Sequence, residues 1–146
     1  MQMRVSSVFE ADPQRVWDLV RRSDTLDFVA SPILAFHPHD GAFPETWAGG
    51  RYRASLRLFG IIPLGSQTIG IEFPEGAEGM VLRDNGSGHL AKTWDHWIFI
   101  RPAPGGRTHY TDRIDVAAGI LTPFVLAFAR FFYAHRQRRW RRLLRG

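Results

Sequence analysis

Hydrophobic and polar positions alternate in short runs through the middle of the chain. In the clearest run, Tyr52, Ala54, Leu56 and Leu58 share one face of a strand, and Arg51, Arg53, Ser55 and Arg57 share the other. Such period-two runs recur from Thr46 to about Val116. They predict consecutive antiparallel strands with one apolar face and one polar face. A sheet of this kind needs a cover on its apolar side.

Glycine and proline residues separate these runs and mark the predicted turns. We place the turns at Gly49-Gly50, Phe59 to Gly65, Pro74 to Gly79, Asn85 to Gly88 and Pro102 to Gly106.

The first forty residues predict a strand, a helix and a second strand. Arg4 to Glu10 forms the first strand. A helix starts at Asp12-Pro13, where the aspartate caps the helix and the proline takes the first helical position. This helix ends before Ser31-Pro32, and a strand follows at Ile33 to His37.

The last thirty residues predict one long helix that is apolar first and basic afterwards. Thr122-Pro123 repeats the cap-then-proline start, and Leu121 with Leu126 is placed to form a hydrophobic staple. At about 100° per residue, one stripe of this helix carries Leu121, Phe124, Val125, Phe128, Phe132, His135 and Leu143. The opposite side carries Arg130, Arg138, Arg141 and Arg145. The stripe can cover the apolar face of the sheet.

Length and composition indicate one globular domain over residues 1–146. The chain is 45% hydrophobic and 13% aromatic, which is enough to build a core. It contains no cysteine, which excludes disulfides and thiolate sites. The N-terminus lacks the apolar segment of a signal peptide, so we expect a cytoplasmic protein.

The positive charge of the chain is local to its last helix. Residues 1–115 hold 12 Lys/Arg against all 14 Asp/Glu, whereas residues 116–146 hold seven Arg and no acid. No nucleic-acid recognition motif accompanies these arginines, so we expect no nucleic-acid partner. A solvated helix face explains most of them, and the alternative is a weak contact with an anionic membrane surface beside Trp140 and Leu144. Only Arg139 falls back onto the buried stripe. We expect the helix to leave the core at this residue or to meet a polar group there at a pocket's edge.

The apolar half of this helix is too short to span a membrane, and Arg130 interrupts it.

Several stretches of the chain resemble the START/Bet v 1-like superfamily (SRPBCC, polyketide cyclase-like), in its ligand-binding branch. They are FEADPQRVWDLV at the start, LRDNGSGHLAKTWDHWIFI and GGRTHYTDRIDV later, and the arginine-rich RFFYAHRQRRWRRLL at the end. The resemblance implies an α+β helix-grip fold in the order β-α-β6-α, with a curved seven-stranded antiparallel sheet wrapped around the long C-terminal helix and an apolar cavity between them. Members bind lipids, sterols, quinones, polyketides or plant hormones, and some are cyclases or dehydratases. The fold therefore does not fix the function.

One polar pair set among apolar residues is the best candidate for chemistry. His96 shares a strand face with Trp94 and Ile98, and Asp112 shares one with Tyr110 and Ile114. If Ile100 pairs with Thr108, His96 lies opposite Asp112, with Cβ atoms about 5 Å apart. The pair then acts as a general base oriented by a carboxylate, as a buried pair that fixes strand register, or as an anchor for a ligand's polar head.

Two other motifs carry no predicted chemistry. His37-Pro38-His39-Asp40 resembles a metal site by composition only, and we expect a solvated loop there and no bound metal. Asn85-Gly86-Ser87-Gly88 lacks the lysine of a phosphate-binding loop, so a hairpin turn is the better interpretation.

The sequence thus favours a binding module without a cofactor, for a small apolar or amphipathic ligand. The predicted ligand-binding residues are Phe124, Phe128 and Phe132 on the helix, Leu56, Trp94 and Ile98 on the sheet, and His96 with Asp112 for the ligand's polar group. A cyclase- or dehydratase-like enzyme with His96 as its base is the first alternative. A peripheral membrane or lipid-transfer protein that docks through the arginine-rich helix is the second.

Overall fold

Seven strands and three α-helices make up the described part of the chain, residues 1–74 and 79–145 of a computed structural model. In chain order they are β1 (Gln2–Phe9), α1 (Pro13–Val20), α2 (Ser23–Ala30), β2 (Leu34–Pro38), β3 (Gly50–Leu58), β4 (Ile62–Glu72), β5 (Met80–Gly88), β6 (Thr93–Ala103), β7 (Arg107–Ala117) and α3 (Thr122–Arg145). A short 3-10 turn, Gly119–Leu121, leads into α3.

The strands form one antiparallel sheet in the order β1-β7-β6-β5-β4-β3-β2. Consecutive strands are neighbours except for β1 and β2, which lie at opposite edges and are connected through α1 and α2. The sheet curves around α3, which packs against α2, β1 and β7. This is the predicted helix-grip arrangement, and the α+β fold class is confirmed.

The prediction of a single N-terminal helix is wrong, because two helices occupy that segment. Asp12 caps α1 as expected, and its Oδ1 accepts a hydrogen bond from the backbone N–H of Arg15 at 3.1 Å. Arg22 is extended and forms a β-bridge with Thr46. This pairing uses the backbone groups that a continuous helix needs, and the chain restarts as α2 at Ser23.

The predicted turn at Asn85 to Gly88 is also wrong, since these residues lie in β5 and the connection to β6 follows them. Their glycines provide space rather than a bend. A Cβ on Gly86 would lie 2.8 Å from the Trp94 carbonyl oxygen, and one on Gly88 would clash with the side chain of Gln67. The turn at Phe59-Gly60 is present, and both residues have positive φ. The turn predicted at Pro74 to Gly79 lies largely outside the described residues.

Helix α3 is rotated relative to the predicted stripe. Its buried residues are Val125, Ala129, Phe132, Tyr133, Arg136, Gln137 and Trp140. Leu121 and Phe124 are 56% and 74% exposed, so neither belongs to the core. The four arginines predicted on the outer side are exposed as expected. The Thr122 hydroxyl bonds to Gly119 and Ala118, so it closes the preceding turn instead of capping the helix.

Two hydrophobic clusters lie between the sheet and the helices. The first joins the N-terminal half of α3 to residues such as Leu56, Trp94 and Ile114. The second surrounds Trp140, whose ring lies 5.9 Å from that of Phe9, centroid to centroid. Polar side chains lie where the two clusters meet, and the candidate site is built there.

The rotation of α3 predicts different costs for two phenylalanines on the same helix. Phe132 is 2% exposed and Phe124 is 74% exposed. Phe132→Ala should lower the free energy of unfolding by about 3–5 kcal/mol through lost burial and a cavity. Phe124→Ala should change it by less than about 0.5 kcal/mol. Urea unfolding followed by tryptophan fluorescence measures both, and equal losses would contradict the orientation of the helix.

Candidate functional site

Two adjoining cavities lie between the sheet and α3. Their volumes are about 40 and 50 Å³. Side chains common to both linings form a shared wall that consists of Leu26, Ile69, Asp84, His96 and Arg136. Sites for drug-sized ligands usually measure about 300–1,000 Å³, so each cavity holds only a small molecule or one end of a larger one. The resemblance implied an apolar cavity, and charged and polar groups line this wall in addition to apolar side chains.

The predicted ligand-binding residues divide into three groups. Leu56, Trp94, His96 and Phe132 line the first cavity, and Ile98 lines the second. Asp112 is fully buried behind His96, and Phe128 is half-buried against the first hydrophobic cluster. The prediction for Phe124 is wrong. The buried face of α3 passes through Val125 and Ala129, which turns the side chain of Phe124 toward solvent.

His96 and Asp112 are hydrogen-bonded, although the register that we predicted is wrong. Ile100 pairs with Tyr110, which places His96 opposite Ile114 and Asp112 opposite Ile98. A slip of two residues keeps each side chain on its face. His96 and Asp112 are therefore diagonal neighbours, with His96 Nε2 at 2.6 Å from Asp112 Oδ1.

The Asp112 carboxylate receives three hydrogen bonds. Besides His96, the Tyr110 hydroxyl donates to Oδ1 at 3.1 Å and Gln137 Nε2 donates to Oδ2 at 3.0 Å. Burial alone would raise the pKa of Asp112, but His96, Arg136 and Gln137 together lower it. The carboxylate is therefore ionised and connects β6, β7 and α3.

His96 is neutral at physiological pH. Burial lowers its pKa and outweighs the opposite effect of Asp112. An ionised carboxylate only accepts hydrogen bonds, so Nε2 carries the ring proton and Nδ1 is an unprotonated acceptor. Because His96 lines both cavities, this imidazole can accept a proton or a hydrogen bond from a bound molecule.

Asp84 is a second carboxyl group of the site, and sequence reasoning missed it. Its Oδ1 accepts a hydrogen bond from the Gly70 backbone N–H at 2.9 Å. Burial raises the pKa of Asp84 to about 7, against the lowering effects of Gly70 and Arg136. The alternation from buried Leu82 to Asp84 was the available signal.

Arg136 supplies the positive charge of the site, and it was also missed. It is 6% exposed, and its guanidinium lies over the Tyr133 ring at 5.1 Å from the centroid. Its Nε has no hydrogen-bond partner among the residues described. Burial would lower the pKa of Arg136, but Tyr110, Asp112 and Tyr133 together raise it. The four-residue spacing from Phe132 was the signal that places it on the buried face.

The remaining arginine-helix predictions have mixed outcomes. Arg139 meets a polar group as expected, since its Nε donates to the Phe28 carbonyl oxygen at 3.0 Å and its guanidinium covers the Phe28 ring. Trp140 is 1% exposed, so its predicted place beside a membrane surface is wrong. In the described ranges, no helix is both long and apolar enough to cross a membrane.

The histidines of His37-Pro38-His39-Asp40 do not form a metal cluster. His37 and Pro38 belong to β2, so the predicted loop is shorter than expected, and His39 hydrogen-bonds Ser55 at 3.0 Å. Within residues 1–74 and 79–145, no three His, Asp or Glu side chains are grouped to hold a metal ion.

The raised pKa of Asp84 predicts a specific pH dependence of stability. Between about pH 4 and pH 7 the folded chain holds a proton that the unfolded chain releases, so stability falls as pH rises through this window. Asp84→Asn keeps a side-chain oxygen that can accept the hydrogen bond from the Gly70 N–H, and it removes the loss of stability with rising pH. Its free energy of unfolding relative to the natural chain should rise with pH up to about 7 and then level off. The slope cannot exceed about 1.4 kcal/mol per pH unit, the limit for one linked proton.

Chemical unfolding at several pH values between 4 and 8 measures this difference. Asp40→Asn, which removes an exposed carboxylate, corrects for the change in net charge. A constant difference between Asp84→Asn and the natural chain would show that folding does not raise the pKa of Asp84.

Solved structures share this architecture over nearly the whole chain. A Chromobacterium violaceum protein has a TM-score of 0.69 at 14% identity, over 98% of this chain and 96% of its own. A START superfamily protein of Mycobacterium smegmatis has a TM-score of 0.58 at 16% identity, with 96% and 94% covered. Major latex-like protein 151 of Panax ginseng has a TM-score of 0.61 at 13% identity, with 97% and 95% covered.

These similarities establish the fold as START/Bet v 1-like, as the sequence resemblance predicted. No curated protein has a significantly similar sequence. The sequence over residues 7–144 matches a protein family, and the chain belongs to that family, the Domain of unknown function (DUF8410).

Proposed function

We propose that the chain is a binding module for a small amphipathic ligand, held between the sheet and α3. The START/Bet v 1-like fold is a ligand-binding fold in general. The observation that supports the proposal is the composition of the cavity walls. Apolar side chains such as Leu56, Trp94 and Phe132 surround a wall that carries Asp84 and Arg136. An apolar pocket with a few convergent polar groups is the usual form of a small-molecule site.

The ligand's apolar body packs against the aromatic walls, and its polar group reaches the shared wall. Desolvation of the body supplies most of the affinity, and hydrogen bonds to His96 and its neighbours set the orientation. The cavities are smaller than a typical ligand. A larger body therefore displaces the half-buried side chains of the first cavity, Phe36 and Leu90.

Filling the first cavity should weaken this binding. Leu56 lines the cavity, whereas Leu58, on the same strand face, packs against the core outside it. Leu56→Phe should weaken the binding of 2-naphthol at least about tenfold, and Leu58→Phe should change it less than twofold. Titrations followed by amide NMR shifts measure both. The proposal fails if neither 2-naphthol nor 1-octanol binds the natural chain, or if both substitutions act alike.

A second function is favoured by one observation, the 2.6 Å hydrogen bond of a cavity-lining histidine to a buried carboxylate. His96 with Asp112 matches a general base held in one tautomer, which suits proton abstraction next to a ketone. This cyclase- or dehydratase-like activity removes a proton from carbon and leaves an enolate for ring closure or elimination.

Hydrogen–deuterium exchange in a ketone probe tests the base. The natural chain should accelerate exchange of the α-protons of 2-tetralone, followed by NMR in deuterated buffer, and His96→Gln should abolish the acceleration. Because burial lowers the pKa of His96, the rate should fall less as the pH drops to 6.5 than it would for a histidine with the ordinary pKa of 6.5. If the natural chain binds 2-naphthol but does not accelerate the exchange, the enzyme proposal fails and the binding module remains.

Contact with an anionic membrane surface stays a prediction. The exposed Arg130, Arg138, Arg141 and Arg145 support it, and the burial of Trp140 removes the aromatic group that we expected to dock beside them.

A further inference from the structure

Arg136 brings a buried positive charge to the wall that both cavities share. Its side chain is more than nine-tenths buried, and its Nε has no partner within the described ranges. No carboxylate oxygen of those residues lies within 4.0 Å of its guanidinium nitrogens. A buried guanidinium without a paired anion costs free energy of folding. An anion bound beside it would offset that cost.

The nearby acids do not neutralise this charge by direct pairing. Asp112 already accepts three hydrogen bonds, from His96, Tyr110 and Gln137. Asp84 lines the cavities, but burial favours its protonated form up to about neutral pH. At pH 6 the cavity therefore presents one cation and a neutral carboxyl group.

Additional polar groups converge beside this carboxyl. A Cβ placed on Gly86 would lie 3.0 Å from Gln67 Nε2 and 3.3 Å from Asp84 Oδ1. The amide nitrogen and the carboxyl oxygen therefore both lie beside a position of β5 that carries no side chain. Gln67 is 7% exposed, and its side chain also lies against Gly88. The glycines of the Asn85 to Gly88 segment thus make room for a polar floor in the first cavity.

We propose that Arg136, Asp84 and Gln67 form a recognition site for the carboxylate of an amphipathic monocarboxylic acid. The inference rests on the proposed binding function and names its ligand class. The guanidinium of Arg136 donates two parallel hydrogen bonds to a carboxylate, a geometry that matches the planar anion. The Gln67 amide and the protonated Asp84 carboxyl supply further donors.

A carboxylate fits this site better than a phosphate does. The site offers one cation, and a phosphate monoester carries close to two negative charges at neutral pH. The remaining walls are apolar, with Trp94 and Phe132 on opposite sides of the first cavity, from β6 and α3. An acid with one carboxylate and an aromatic or aliphatic body satisfies both parts of the lining.

The same arrangement makes acid binding depend on pH. The titratable groups around Asp84 are Arg136 and Tyr133 from α3, His96 and Asp95 from β6, and Asp112 from β7. When Asp84 loses its proton near neutral pH, it stops donating and repels the ligand anion. Affinity for an acid should therefore fall between pH 6 and pH 8, by at most about tenfold per pH unit for one linked proton.

Matched probes and matched variants test the site. At pH 6 the natural chain should bind 2-naphthoate about ten- to a hundredfold more tightly than neutral 2-naphthamide, as expected for a charge-assisted buried contact. Arg136→Met, of similar length and without charge, should lose this preference and keep its affinity for the amide. Arg138→Met removes an exposed charge from the same helix and should keep the preference.

Calorimetric titration distinguishes the outcomes. If neither the acid nor the amide binds the natural chain, the proposed binding function itself fails. If both bind the natural chain and Arg136→Met with equal affinity, the binding function stands and the carboxylate site is overturned. Arg136→Lys provides a second variant, which keeps the charge but loses the two parallel donors of the guanidinium. It should weaken binding of the acid and leave binding of the amide unchanged. Acid affinity in the natural chain that is unchanged between pH 6 and pH 8 would overturn the role of Asp84.

Discussion

The buried carboxylate of Asp112 is the constraint on which the rest of the site depends. A carboxylate with no exposed surface is stable only when hydrogen bonds replace its water. Here His96 from β6, Tyr110 from β7 and Gln137 from α3 supply them. Gln137 also donates to a β1 carbonyl, so the network connects the helix to the sheet. This polar contact contributes to the rotation of α3, which places the neighbouring Arg136 at the cavity.

The polar groups beneath α3 therefore belong to two sets with different consequences. The set around Asp112 is satisfied internally, and it holds the helix on the sheet. The set around Asp84 and Arg136 faces the cavities, and its charges are not paired with each other at hydrogen-bond distance. His96 belongs to both, since one ring nitrogen bonds Asp112 and the ring lines the cavity. A ligand can thus interact with the groups around Asp84 and Arg136 while the hydrogen-bond network of Asp112 preserves the fold.

The sequence was sufficient for the architecture but not for the details of the site. Period-two runs and turn residues identify the strands, and a register error of two residues still left His96 and Asp112 on the same face of the sheet. The predicted orientation of α3 was wrong, because the most aromatic stripe placed Phe124 inward and did not include Arg136. The pattern of hydrophobic residues cannot show that the buried Asp112 carboxylate draws Gln137 to the sheet. That contact turns the face of α3 with Gln137 and Arg136 inward. The glycines of β5 were read as a turn because only the structure shows Gln67 lying across them.

The ionisation of Asp84 and Asp112 tests this account most directly. Carboxyl carbon NMR shifts, followed for Asp84 and Asp112 between pH 2 and pH 9, report the pKa of each group. The account predicts that Asp84 titrates near pH 7 and that Asp112 titrates below 3.8, the ordinary value for aspartate. If both groups titrate near that ordinary value, neither the hydrogen-bond network of Asp112 nor the site around Asp84 and Arg136 exists as described.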